Sequence, residues 1–292
     1  MRVVEALISA LLVAGLYATM SYGLALIYGV MKIINLANAG AMMLGSFTTF
    51  FLWQAFGLDP LVGALIVAPL FFLLGAVLEV LFVRRVADQK PVISLLLLFG
   101  ILLVMQAGAS LFLGGDVRAV RPVYVQEVIR LGDVTIAYTR LFMFISGVVI
   151  LIALELFLRR TFLGRAIRAL AQDRDACRLA GIDVRRVAMI AFGLGTALAG
   201  VAGALLTLVF PFDPSNPFGV LQLKSFTIIV LGGLESIPGV AFASFLLALA
   251  ESLTVTLSKP QLENLVSFVL LVLVLVVLPG GLASLIRRRR LA

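Results

Sequence analysis

The apolar positions along this chain run on without alternation, in stretches long enough for a helix to cross a bilayer. A helix rises about 1.5 Å per residue and needs ~20 residues to pass a ~30 Å hydrocarbon layer. Runs at 8–30, 40–56, 61–83, 92–113, 141–158, 187–209, 240–257 and 263–281 reach or approach that length. A shorter run, 220–232, stops at Gly232-Gly233. Backbone in lipid must satisfy its own hydrogen bonds, so only helices and closed barrels can span. Strands of a barrel would alternate and these runs do not, so the pattern predicts helices. The expected fold is all-α: a polytopic transmembrane bundle of eight or nine spans. Run 220–232 reads as a ninth crossing or a broken half-helix, and 40–56 as a full or a re-entrant segment. Between the runs, the two longest polar stretches, 114–140 and 159–186, are too short to build a core of their own. Residues 1–292 therefore read as one membrane domain.

Composition supports that reading and removes several kinds of chemistry. The chain is 62% hydrophobic and 13% charged, against about 45–50% and about 25% for a soluble domain. It contains no histidine, which excludes histidine bases, histidine metal ligands and Ser-His-Asp triads. Its single cysteine, Cys177, excludes an internal disulfide and a cysteine-only metal site. No metal site and no catalytic nucleophile with a base is expected. The first residues do not read as a cleavable signal, because Arg2 is offset by Glu5 and the apolar run is longer than a signal core.

The charge balance, 23 Lys+Arg against 15 Asp+Glu, would suit nucleic acid if the cations formed one patch. Instead they gather at the ends of apolar runs, as membrane topology requires. Arg84, Arg85 and Lys90 follow one span, and Arg287 to Arg290 close the chain. Segment 159–186 holds Arg159, Arg160, Arg165, Arg168, Arg174, Arg178, Arg185 and Arg186 with only Asp173, Asp175 and Asp183. All three places are expected on the cytoplasmic side, the C-terminus included. Segment 114–140 is then external, although Arg118, Arg121, Arg130 and Arg140 outnumber Asp116, Glu127 and Asp133 there. Nine crossings would put the N-terminus outside.

Segment 164–183 carries the most information. Ala166, Leu170, Cys177 and Ala180 recur at near-helical spacing, Asp173 is placed to cap a short helix, and Gly181 marks its end. A short amphipathic helix between spans needs a surface for its apolar side, either another protein or the lipid headgroup layer.

At these residues the chain resembles a known family, the permease subunits of ABC importers for branched-chain amino acids, of the LivH type. Gly29 to Gly40 (GVMKIINLANAG) with Met43 to Gly45 resembles the family's first-loop signature. Gly164-Arg165-Ala166 through Gly181-Ile182 resembles its coupling loop, and Leu231 to Gly239 (LGGLESIPG) its late glycine turn. Ala250-Glu251-Ser252 and Pro279 with Gly281 fall where the family places such residues. The order and spacing of the three motifs cover nearly the whole chain. The resemblance implies an ABC importer permease that moves a small polar solute, most simply a branched-chain or related amino acid, inward by alternating access. It also implies a bacterial inner-membrane location and partners: a second, paralogous permease, two ATP-binding subunits and an extracytoplasmic solute-binding protein. Gly164, Arg165, Asp173, Ala176 and Gly181 would couple the chain to the ATPases. No cofactor of its own is expected, with ATP held by the partners. The sequence agrees, having no Gly-x4-Gly-Lys-Ser/Thr loop. The nearest string, Gly219 to Ser225, lacks the second glycine and opens an apolar run.

The first-loop segment departs from the family, with Asn38 and Gly40 where a His and a Glu are usual, so the departure bears on the substrate. Asn35, Asn38 and Lys32 between apolar runs are costly in lipid unless they face protein or water. They are candidates for the translocation path, with interhelical hydrogen-bond glue as the alternative. Lys224 and Glu251 lie within runs that are antiparallel, both in the outer half, and are expected to pair; separate snorkelling is the alternative. Glu79 and Glu155, beside arginines, read as interface anchors. Gly193, Gly195, Ala199, Gly200 and Gly203 predict close helix packing, and Pro211, Pro214 and Pro217 a stiff connector. Two rival functions are a permease for an amide or urea and a self-powered secondary transporter. The second needs an ion relay and usually an internal repeat, and neither is evident. A membrane-embedded enzyme would need the histidines or clustered carboxylates that are lacking.

Overall fold

The computed structural model describes residues 2–87, 89–131, 134–214, 218–234, 236–257, 260–277 and 281. Among these are eleven helices, nine of them in the apolar runs and two in the polar segment 159–186. They are α1 Arg2–Met31, α2 Ala37–Phe56, α3 Pro60–Leu78, α4 Pro91–Leu113, α5 Tyr138–Arg160, α6 Phe162–Gln172, α7 Arg174–Leu179, α8 Val184–Leu206, α9 Phe218–Gly232, α10 Ile237–Leu257 and α11 Glu263–Val277. α3 continues through a π-helical turn, Glu79–Val83, and a last turn, Arg84–Val86. Local chemistry sets several ends. Asp59 caps α3 by accepting from Leu61 N at 2.8 Å, with Pro60 at the first helical position. Asp183 caps α8 through Arg186 N at 3.1 Å. α2, at 20 residues, is ~30 Å long and so long enough to cross. α9, at 15 residues, is about 22 Å and falls short of the full hydrocarbon thickness.

The helices divide into an inner and an outer set. In α1 and α8, 89% and 72% of the membrane-spanning window is buried, against 28%, 17% and 22% in α3, α4 and α5. The outer three therefore present apolar side chains such as Leu65, Val104 and Val149 to lipid. Small residues let the inner helices meet at backbone distance. A Cβ on Gly23 would strike Gly195 O, one on Gly45 would strike Gly200 O, and one on Gly203 would strike Met42 O. Ser46 Oγ adds a hydrogen bond to Gly203 O at 2.8 Å across α2 and α8. In lipid no hydrophobic drive pulls helices together, so such close packing carries the association.

α1 and α5 run parallel: Arg140 Nη1 donates to Ser9 Oγ at 2.7 Å, and Gly15 packs on Gly147. α5 leads directly into α6, while Met31 at the end of α1 shares a hollow with Arg174, Arg178 and Gly181. The start of α1 and segment 162–181 thus lie at opposite ends of the bundle.

Two expectations need correction, at Ala180 and Glu79, and one element is new. Segment 114–140 holds an antiparallel hairpin, Val128–Leu131 (β1) with Val134–Ala137 (β2), which the continuous-run pattern could not show. In segment 164–183 the short helix capped by Asp173 and ended at Gly181 is present as α7, preceded by α6 and parted from it at Asp173 (φ −151°, ψ 112°), but Ala180 is exposed rather than on the buried side. Glu79 is not an interface anchor but is fully buried against Arg84 Nη2 at 2.9 Å; Glu155 pairs with Arg159 at 2.5 Å. The arginine surplus of 114–140 also has a local explanation. Arg118 lies over the rings of Phe47, Phe50 and Phe51 at 5.1–5.5 Å and pairs through its main chain with Phe212. Asp133, Pro217, Glu235, Pro279 and Arg287 to Arg290 lie outside the described residues.

Candidate functional site

Three polar constellations interrupt the apolar bundle. The first is segment 162–181, at one end. Thr161 caps α6 by accepting from Gly164 N at 2.9 Å. Gly164 is packed so tightly on α5 that a Cβ would strike Phe157 O and lie 2.5 Å from Leu158 Cα. Ala166, Ile167 and Leu170 bury one face of α6. The chain then turns at Asp173, whose Oδ1 accepts from Asp175 N and Ala176 N at 2.9 Å and starts α7. Gly181, at φ +77°, closes α7: its N–H bonds Arg178 O at 3.1 Å, and Ile182 N bonds Cys177 O at 3.0 Å. This doubly bonded stop needs a left-handed residue, which is why a glycine stands there. Cys177 anchors α7 inward, while Ala176 and Arg165 are exposed and Leu179 is 91% exposed. A leucine that bare on the same short helix as Asp175 and Arg178 is an apolar knob in a charged rim. Phe162, also exposed, lies across a shallow hollow that Ala180 and Ile182 help to line. Sequence reading picked the capping and turn residues but missed Leu179, since nothing in helical spacing alone says which face stays uncovered.

The second constellation lies where α1 ends. Lys32 is left-handed (φ 56°) and exposed, and residues 32–36 are not helical. Asn35 and Asn38 are buried, as expected of path or packing groups. Both reach Gln222 of α9: Asn38 Nδ2 donates to Gln222 Oε1 at 3.4 Å, and Gln222 Nε2 donates to Asn35 O at 3.0 Å. The side-chain oxygens of Asn35, Asn38 and Ser225 have no protein partner among the described residues. Gln222 went unremarked in the sequence, although an amide inside run 220–232 was its signal.

The third constellation brings Lys224 and Glu251 together. Lys224 Nζ lies 3.1 Å from Glu251 Oε1 and 2.8 Å from Glu263 Oε1. Tyr17 OH donates to Glu251 Oε2 at 2.5 Å and accepts from Lys224 Nζ at 3.0 Å. Ser267 Oγ donates to Glu251 as well. The cluster ties α1, α9, α10 and α11 with one cation, two carboxylates and two hydroxyls. Lys224 and Glu251 are only 3% and 4% exposed, so neither snorkels to water. Tyr17 and Glu263 were missed in the sequence. A tyrosine at depth needs a partner for its hydroxyl, but sequence cannot say which.

The loop–amide–charge arrangement contains no group of three or more metal-ligating side chains among the described residues. It provides an exposed apolar knob at one end and buried polar clusters within the bundle. Such a structure can move a solute and receive force. Known proteins agree. The family described as "Branched-chain amino acid transport system / permease component" matches residues 6–275. The chain is 32% identical over 283 residues to the high-affinity branched-chain amino acid transport system permease protein LivH of Escherichia coli, covering 91% of this chain and 90% of LivH. It is 30% identical over 294 residues to BraD of Pseudomonas aeruginosa, covering 95% and 94%. It is 34% identical over 143 residues to the permease protein LivM of Escherichia coli, covering 47% of this chain and 33% of LivM.

Proposed function

We propose a function from one premise: this chain belongs to the branched-chain amino acid transport permease family. It is a multi-pass membrane transport subunit. It passes a branched-chain or closely related amino acid across the membrane by alternating access, as one permease of an ABC importer. The observation that carries this reading is the match along nearly the whole chain to LivH and BraD, whose names state that transport. The amide, urea and self-powered alternatives gain nothing from these relatives.

The remaining parts follow from where the polar constellations lie. Segment 162–181 receives an ATP-binding subunit on the cytoplasmic side, with Leu179 as the docked knob and Asp173, Ala176 and Gly181 holding the short helix that presents it. Gly164 seats α6 on α5, so force on α7 passes into the bundle; Arg165 belongs to the charged rim. The start of α1 then faces outward, where a solute-binding protein delivers its cargo, and the C-terminus is cytoplasmic. The permease pairs with a second permease of the LivM kind in a bacterial inner membrane. Two ATP-binding subunits supply the energy, and this chain carries no cofactor.

The direct test is purification of the tagged chain in detergent from cells expressing its neighbouring transport genes, with mass spectrometry of what accompanies it. ATP-binding subunits should be recovered. A chain that comes through alone and still transports leucine in liposomes without ATP would overturn the reading. Leu179→Asp should leave the bundle folded, because the side chain touches little, yet cut ATP-driven uptake ~10-fold or more by putting a charge into an apolar contact. Gly181→Pro should do the same by removing the N–H that closes α7 and the left-handed φ it needs. Wild-type uptake by both variants at wild-type abundance would disprove docking at this segment.

Asn35 and Asn38, with Gln222, line the solute path in this reading. Hydrogen bonds between membrane helices average only about 0.6 kcal/mol, so Asn38→Leu should leave assembly near wild type. Uptake should nevertheless fall. Unchanged uptake, with a lower melting temperature, would make the amides glue instead.

A further inference from the structure

The end of the bundle opposite segment 162–181 holds a hollow of about 550 Å³ that none of the assignments above uses. It is lined by α1 between residues 5 and 17, the second half of α10, the start of α11 and Arg140 of α5. Its polar lining is mixed in sign: Glu5, Glu251 and Glu263 with Arg140, and the hydroxyls of Ser9 and Tyr17. Its apolar lining comes from Ile8, Leu12, Val13 and Val255. The volume is within the ~300–1,000 Å³ of small-molecule sites, which are largely apolar with a few converging polar groups.

The charged groups differ in how far they are already committed. Both oxygens of Glu251 are engaged, by Tyr17, Ser267 and Lys224. The Glu263 side chain is 39% exposed and holds Lys224 through Oε1. Arg140 is exposed, and one of its nitrogens donates to Ser9 Oγ; a guanidinium has five N–H donors in a fork that matches a carboxylate. An anion-seeking group and a cation-seeking group thus line one hollow together with aliphatic surface. A solute that satisfies all three needs a carboxylate, an ammonium and a branched apolar side chain.

We propose that this hollow is a receiving site for a zwitterionic aliphatic amino acid, with Arg140 taking the carboxylate, Glu263 the ammonium, and Ile8, Leu12, Val13 and Val255 the side chain. The assignment rests on the transport function proposed above and adds to it a site in the permease itself, at the end where a solute would arrive. Arg140 then contributes selectivity independent of the binding protein, and Glu263, through Lys224, ties occupancy of the hollow to the buried cluster joining four helices.

The test uses the whole transporter, this chain with its partner permease and ATPases. Proteoliposomes with saturating binding protein report uptake of radiolabelled leucine. Thermal unfolding in detergent without binding protein reports direct binding of leucine, of leucinamide, which lacks the carboxylate, and of 4-methylpentanoate, which lacks the ammonium. Wild type should be stabilised by leucine and by neither analogue. Arg140→Gln should lose that stabilisation and about tenfold or more of the uptake, the loss expected of one charge-assisted contact, and Arg140→Lys should recover part. Glu263→Gln should lose the stabilisation as well. Normal leucine uptake by Arg140→Gln, or equal stabilisation of wild type by leucinamide and leucine, overturns the site while leaving the transport function standing. Should Arg140→Gln fail to assemble, the analogue comparison on wild type decides alone. Absence of amino-acid uptake by wild type overturns the transport reading, and the site with it.

Discussion

Replacing Lys224 with methionine is expected to remove most of the folded permease from the membrane. The ammonium is held by Glu251 at 3.1 Å and Glu263 at 2.8 Å, and Lys224 and Glu251 are both buried. Removing one partner leaves a carboxylate unpaired in a medium of low dielectric, a loss of about 3–5 kcal/mol. A whole domain is stable by only ~5–15 kcal/mol. The Lys224→Met/Glu251→Gln double variant should regain part of the loss, because the buried unpaired charge is gone, the remaining carboxylate of Glu263 is part-exposed, and Tyr17 and Ser267 can still bond the amide. Exchanging the two charges should help less, since a carboxylate at position 224 would then face Glu263. Abundance and melting temperature in detergent measure all three. A single Lys224→Met variant with wild-type values, or a neutral double variant no better than it, would show that the cluster contributes little.

Gly203→Ala should be nearly as damaging although it adds one methyl group. The new Cβ would strike Met42 O and lie 3.0 Å from Met42 Cα. Both are backbone atoms of α2 and cannot rotate aside, unlike the end of a side chain. Overpacking typically costs about 1–3 kcal/mol and more where nothing yields. The same contact carries the Ser46 to Gly203 hydrogen bond, which a displaced α2 would also lose. Gly100→Ala and Gly108→Ala on α4 provide the opposite sign. A Cβ at either meets nothing within 4 Å, and alanine suits a helix interior better than glycine by ~0.5–1 kcal/mol. They should be neutral or slightly stabilising. If Gly203→Ala melts like Gly108→Ala, the helix crossing is looser than its geometry requires.

The two predictions differ in how far the chain itself announced them. Lys224 and Glu251 stood out because a charge within an apolar run is costly, and their antiparallel runs made a meeting reasonable. Tyr17 and Glu263 complete the cluster from 207 and 39 residues away from Lys224 along the chain. Nothing local distinguishes Tyr17 from other tyrosines in apolar runs. Gly203 announced itself only as one of several small residues in 187–209; that its opposite number is Met42 follows from the crossing of α2 and α8. At segment 162–181 the caps were legible, because Asp173 and Gly181 act on backbone groups two to five residues away. Leu179 was not, because its exposure depends on where α6 and α8 leave room.

The sequence by itself determined that the chain is a bundle of long apolar helices, their approximate places, and the exclusion of histidine chemistry and of an internal disulfide. Those features follow from one contrast, apolar side chains against water, which each stretch of chain expresses locally. Tertiary structure alone decided that α1 and α8 are the core while α3, α4 and α5 face lipid. Lipid tails are as apolar as a protein interior, so hydropathy does not separate a helix wrapped in protein from one wrapped in lipid. α10 is as weakly hydropathic as the buried α1 and α8, yet only 33% of its span is buried, so hydropathy alone does not sort the helices. The inner helices are distinguished by small and polar residues, and those residues take their meaning from the partners that folding brings to them.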